Sequence, residues 1–75
     1  MTTEYTKVGK SKYRMVKDGV TYYVYTWNET NENGYVRFRA DDVTDEREDL
    51  LSDSKLEMQL IREFNNDHGW EKILP

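Results

Sequence analysis

The 75 residues contain no cysteine, which excludes disulfides, thiolate metal sites and cysteine nucleophiles. Histidine occurs once, at His68. The chain therefore has no His-x-x-x-His metal pair, and no serine has the histidine and placed orienter that nucleophilic catalysis needs. Proline occurs once and glycine four times, and no glycine-rich phosphate loop can be assembled from them. No apolar run approaches membrane-spanning length, and the opening MTTEYTKVGK lacks the apolar stretch of a secretory leader. The expectation is a cytoplasmic protein (host cytoplasm if the source is viral) with no membrane partner. In that compartment the sequon Asn28-Glu29-Thr30 is idle.

What is present is charge and aromatic surface. Charged residues make up 35% of the chain and apolar residues 36%, with ten aromatic rings among them. A chain this short buries only roughly 60% of its unfolded surface, so the core must be small. The rings supply much of the apolar area, and self-association could supply more. The net charge of −4 conceals two poles. Residues 1–40 carry seven basic and four acidic side chains, net +3, whereas residues 41–75 carry four basic and eleven acidic ones, net −7. A division this sharp bears on partners rather than on fold.

The segment KYRMVKDGVTYYVYTW reads as a hairpin, because two β-prone runs flank Asp18-Gly19, a strong type I′ turn signal. That turn sets Lys17 opposite Val20, Met15 opposite Tyr22 and Tyr13 opposite Val24. YVRFRA follows the polar loop NETNENG as a third strand. Alternation then sorts the side chains onto two faces. Tyr13, Met15, Tyr22, Val24, Val36, Phe38 and Ala40 form a core face. Lys10, Lys12, Arg14, Tyr23, Tyr25, Trp27, Tyr35, Arg37 and Arg39 form a basic, aromatic one.

Leu56, Leu60, Ile61 and Phe64 recur at helical spacing and predict a main helix over 54–68 that covers the core face. Its N-cap is Ser54, in a capping box with Glu57, or Ser52. Asn65, Asn66 and Gly69 stop it, and His68 lies where the helix dipole favours it. In the 69–75 tail, Trp70, Ile73 and Leu74 are expected to fold back onto the core edge. Residues 1–9 are polar and expected to fray. The connector 41–53 is either a loop or, over TDEREDLL, a short acidic helix capped by Thr44. The fold class is thus α+β, a single domain with a three-stranded antiparallel β-meander over 10–40 and one main C-terminal α-helix on one face. Three strands followed by a helix is similar to the N-terminal DNA-binding domains of some phage integrases, which read a groove with their sheet.

Two surfaces could carry function. The connector DDVTDEREDLLSD places Asp41, Asp42, Asp45, Glu46, Glu48, Asp49 and Asp53 within 13 residues. Calcium is not its purpose, because an EF-hand loop needs a glycine at its sixth position and this stretch has none. Carboxylates on a folded scaffold can imitate the phosphates of a duplex and dock on a basic, nucleic-acid-binding protein. The plainer account of such a run is a solvated helix start. The basic, aromatic sheet face instead has what direct nucleic-acid binding requires, namely cations for phosphates and rings for bases. Its plainer account is cross-strand packing of Tyr against Arg. A third arrangement joins the two, with the acids meeting the basic sheet of a second copy in a homodimer, or of their own chain. No catalytic residue, metal or cofactor is expected. Small size, acidity and the missing catalytic constellation together suggest a non-enzymatic interaction protein, an inhibitor or modulator of the viral or phage type that acts as a DNA mimic.

Overall fold

A computed structural model describes residues 3–72. These residues form one antiparallel sheet in the order β1-β2-β3-β4-β5 with one helix. The elements are β1 (Thr3–Gly9), β2 (Lys12–Lys17), β3 (Val20–Thr30), β4 (Tyr35–Thr44), α1 (Ser54–Asp67) and β5 (Glu71–Lys72). The α+β class with one main helix stands, but the sheet has five strands rather than three.

The central hairpin follows from its turn. Asp18 and Gly19 both adopt positive φ, 53° and 79°, as a type I′ turn requires. The register runs from Lys17↔Val20 to Lys12↔Tyr25. The next loop is built by Asn31, whose side-chain oxygen accepts hydrogen bonds from the backbone N–H groups of Asn33 and Tyr35. Gly34 there takes φ 83°.

The first of the two extra strands corrects the expectation of a frayed N-terminus. β1 pairs with β2 from Thr3↔Lys17 to Lys7↔Tyr13, with an irregularity between Lys7 and Gly9. Tyr5 anchors it by packing edge-on against Phe64 and His68 and donating a 2.6 Å hydrogen bond to Asp67. Burial, then that carboxylate, push the Tyr5 hydroxyl far above its ordinary pKa. The other extra strand, β5, pairs only Tyr35↔Lys72 and Val36↔Glu71. Trp70 does not fold onto the core edge. It stacks on Arg37, on the opposite face of the sheet. The same expectation for Ile73 and Leu74 lies outside the described residues.

β4 holds the main departure from simple alternation. Tyr25 pairs with Asp42 but Thr26 pairs with Ala40, so Asp41 is an extra residue, a β-bulge. The bulge shifts every later side chain by one face. Val43 thereby turns inward and is fully buried, while Asp42 turns outward. The core is Tyr13, Met15, Val24, Val43, Leu60 and Phe64, flanked by Tyr5, Tyr22, Phe38, Ala40, Leu51, Leu56 and Ile61. Burying each fully enclosed large side chain contributes roughly 1.5–3 kcal/mol.

The helix begins at Ser54, as its spacing predicts, but neither serine caps it. Asp53 is the N-cap, and its carboxylate accepts from the N–H groups of Lys55 and Leu56. At the other end His68 is the C-cap. Its ring stacks on Phe64 with centroids 3.9 Å apart, and its Nδ1 lies 2.9 Å from the Phe64 carbonyl oxygen. His68 is thus a packing residue that closes the aromatic cluster of Tyr5, Tyr13 and Phe64.

Two sets of substitutions test these assignments. Val43→Asp buries an unpaired charge and is expected to cost more than about 4 kcal/mol, most of the stability of a domain this size. Asp42→Val is expected to stay within about 0.5 kcal/mol of the wild type. Urea denaturation followed by circular dichroism measures both, and the reverse ranking would remove the bulge. By the same measurement Asp53→Ala should lose about 0.5–2 kcal/mol with its cap, and Ser54→Ala much less.

Candidate interaction surface

The helix covers one face of the sheet and leaves the other open. Directly paired residues share a face, so register alone defines what the open face presents. Its rungs are Arg14↔Tyr23, Lys12↔Tyr25↔Asp42, Trp27↔Arg39, Glu29↔Arg37 and Tyr35↔Lys72. Eight of the nine residues expected on the basic, aromatic face are brought together there. The ninth, Lys10, lies in the turn between β1 and β2. Trp27 is 48% exposed and Trp70 41%, an unusual display of tryptophan in so small a chain.

The face is not uniformly basic. Glu29, a member of the predicted polar loop NETNENG, instead extends β3 and pairs with Arg37. Continuing the alternation Tyr23, Tyr25, Trp27 by one more step would have found it. Arg37 also lies 4.6 Å from the Trp70 ring, a cation–π contact. Arg14 and Arg39 form no ion pair among the described residues.

The acidic connector reaches the same face. Its residues 41–44 are the end of β4 rather than connector, and the remainder is loop, not helix, with a tight turn built by Asp45. The Asp45 side chain accepts hydrogen bonds from the N–H groups of Arg47 and Asp49, and its carbonyl accepts from Glu48. Glu48 takes φ 66°, in the left-handed region. Leu50 then bridges back to Thr44. The turn delivers the Glu48 carboxylate to Lys12 Nζ and to the Tyr25 hydroxyl, each at 2.5 Å. Lys12 Nζ also lies 4.5 Å from the Tyr23 ring. The chain thus clasps part of its own basic face with a single acid. Hydrogen bonds from Lys12, then from Tyr25, hold the Glu48 carboxyl below its usual range. The same contact raises Lys12 and Tyr25.

The seven acids therefore separate. Asp45 and Asp53 cap backbone, and Glu48 is the clasp. Asp41, Asp42, Glu46 and Asp49 are exposed and form no ion pair among the described residues. No group of three or more His, Asp or Glu among the described residues is placed to hold a metal ion, and no described helix is long and apolar enough to cross a membrane. Comparison of the chain with protein-family models, curated proteins and solved structures finds no match in any of the three.

The clasp makes a pH prediction. A carboxyl with a lowered folded pKa stabilises fully above its unfolded value, about 4.3, and stops doing so as pH falls through the lower folded value. Lys12 and Tyr25, both raised, stop contributing only as pH rises through their raised values. Glu48→Gln should therefore melt below the wild type at neutral pH, and the two melting temperatures should converge in strong acid. A deficit unchanged from neutral pH to strong acid, in parallel thermal melts, would show that the carboxylate plays no part.

Proposed function

We propose that this is a non-enzymatic interaction protein, a modulator or inhibitor that docks through its acidic pole on a basic, nucleic-acid-associated protein. The observation that carries the proposal is the division of labour among the acids. Each of the three ion pairs among the described residues uses a glutamate, Glu29, Glu48 or Glu63. Asp41, Glu46 and Asp49 are left exposed on a backbone fixed by the bulge and the Asp45 turn. Carboxylates held in place without internal cations lose little entropy when a cationic partner binds. They also draw that partner in at long range.

Direct nucleic-acid binding by the sheet face is the second reading, favoured by exposed Trp27 and by Arg14 and Arg39, which form no ion pair among the described residues. Glu29 and Glu48 already neutralise Arg37 and Lys12 there, and Asp42 adds a charge that repels phosphate. The geometry therefore supports a protein partner better.

The test uses the residues that no internal contact requires. A variant carrying Asp41→Asn, Glu46→Gln and Asp49→Asn keeps the Asp45 turn, the Glu48 clasp and the Asp53 cap. Affinity capture from a lysate is expected to yield a basic nucleic-acid-binding protein with the wild type and to lose it with the triple variant. Capture that is unchanged in the variant, or direct binding of labelled DNA or RNA abolished by Arg39→Glu, would replace the acidic-pole reading with the second one.

A further inference from the structure

The open face carries opposite charges on adjacent rungs. One rung is Lys12, Tyr25 and Asp42, with the lysine already paired to Glu48, and the next on the same face is Trp27 and Arg39. Each has an aromatic ring on β3 and a charge on β4. Neither Asp42 nor Arg39 has an ion-pair partner among the described residues. The same polarity extends beyond these rungs. β4 runs from Tyr35, Arg37 and Arg39 at one end to Asp42 and the acidic turn at the other.

Such a face is complementary to itself. A half-turn about an axis lying across the strands, between the two rungs, places β3 over β3 and β4 over β4 with their directions reversed. Arg39 then faces the partner copy's carboxylate at position 42, and Trp27 faces the partner copy's tyrosine at position 25. The symmetry makes each contact twice, which is the isologous arrangement of a closed dimer. Two sheets pack face to face at roughly 10 Å, a gap that an extended arginine and an aspartate together can bridge.

We propose that the open sheet face is a self-association surface, on which a second copy of this chain docks face to face, with the Trp27–Arg39 rung of each copy on the Tyr25–Asp42 rung of the other. Charge complementarity along the strands selects a second copy as the occupant. A nucleic acid presents one sign of charge, whereas this face carries both, separated along β4. Four strands at roughly 4.8 Å spacing, with 3.3 Å per residue along them, give on the order of 500 Å² of flat area per copy. That is below the roughly 800 Å² per partner of a standard interface. The dimer is therefore reversible and, being held partly by exposed charges, weakened by salt. The inference is independent of the proposed function, which rests on Asp41, Glu46 and Asp49.

Sedimentation velocity at high protein concentration and low ionic strength tests it, with circular dichroism to establish that each variant folds. The wild type is expected to be dimeric and to dissociate as salt is raised. Arg39→Glu alone and Asp42→Arg alone are each expected to be monomeric, because each homodimer would oppose like charges twice. An equimolar mixture of the two should recover the dimer, since every contact in that heterodimer pairs opposite charges. Trp27→Ser should also lose the dimer without any change of charge. A monomeric wild type overturns the proposal. So does a dimer indifferent to all three substitutions, which would place the interface elsewhere, or a mixture that stays monomeric although both components fold.

Discussion

The single inserted residue at Asp41 determines how the rest of the chain is disposed. Without the bulge, strict alternation would turn Asp42 inward and Val43 outward, burying a carboxylate and removing one of the five fully buried large side chains. With it, Val43 closes the core against Leu60 and Phe64, and Thr44 emerges on the open face. There Thr44 is only 4% exposed, bridged by Leu50 at the end of the acidic turn. That turn is thereby carried to the sheet's open side, which is why Glu48 can reach Lys12. The bulge has a cost beside it, since the Thr26 hydroxyl is buried without a partner.

Side-chain length explains how the acids divide. Aspartate is short enough to bond the backbone two to four residues ahead of it, so Asp45 builds a turn and Asp53 caps a helix. Glutamate, one methylene longer, reaches across elements. Glu48 spans from the turn to β2, and Glu63 spans from the helix to Lys17 at 2.5 Å, with Thr3 donating to the same carboxylate. An acidic run that looks uniform in sequence is therefore three kinds of group in space. Two kinds hold the fold together, and only the third is available to a partner.

What was legible in the sequence was what short-range chemistry decides. Asp18-Gly19 fixes a turn, the turn fixes a register, and the register sorts the faces. The period of Leu56, Leu60, Ile61 and Phe64 does the same for the helix. The missing pieces depend on contacts distant in the chain. β1 is polar by composition, and its order comes from Tyr5 meeting Phe64 and Asp67 about sixty residues away. The bulge leaves no mark in DDVT beyond the awkwardness of burying an aspartate, a tension that alternation alone hides. Trp70 read as an apolar residue seeking a core, yet its ring found the Arg37 guanidinium instead. The candidate surface was legible as a list of residues but not as a charge pattern, because Glu29, Asp42 and Glu48 reach it only through the strand extension, the bulge and the turn.

The open face is where the small core and the charge asymmetry meet. One helix cannot cover both sides of the sheet, so the rings that alternation sends away from the core lie on the uncovered side. There Lys12 and Arg37 shield them through cation–π contacts and are themselves balanced by Glu48 and Glu29. This internal balancing argues against a polyanionic ligand, which would have to displace carboxylates before it gained any phosphate contact. It does not hinder a surface that carries both signs of charge at the same spacing. A second copy meets that condition by symmetry, and its docking would turn a helix-on-sheet domain into a four-layer assembly with Trp27 enclosed at the centre. The acids at Asp41, Glu46 and Asp49 lie outside the paired rungs, so such a pair of chains would still present an acidic pole at each end.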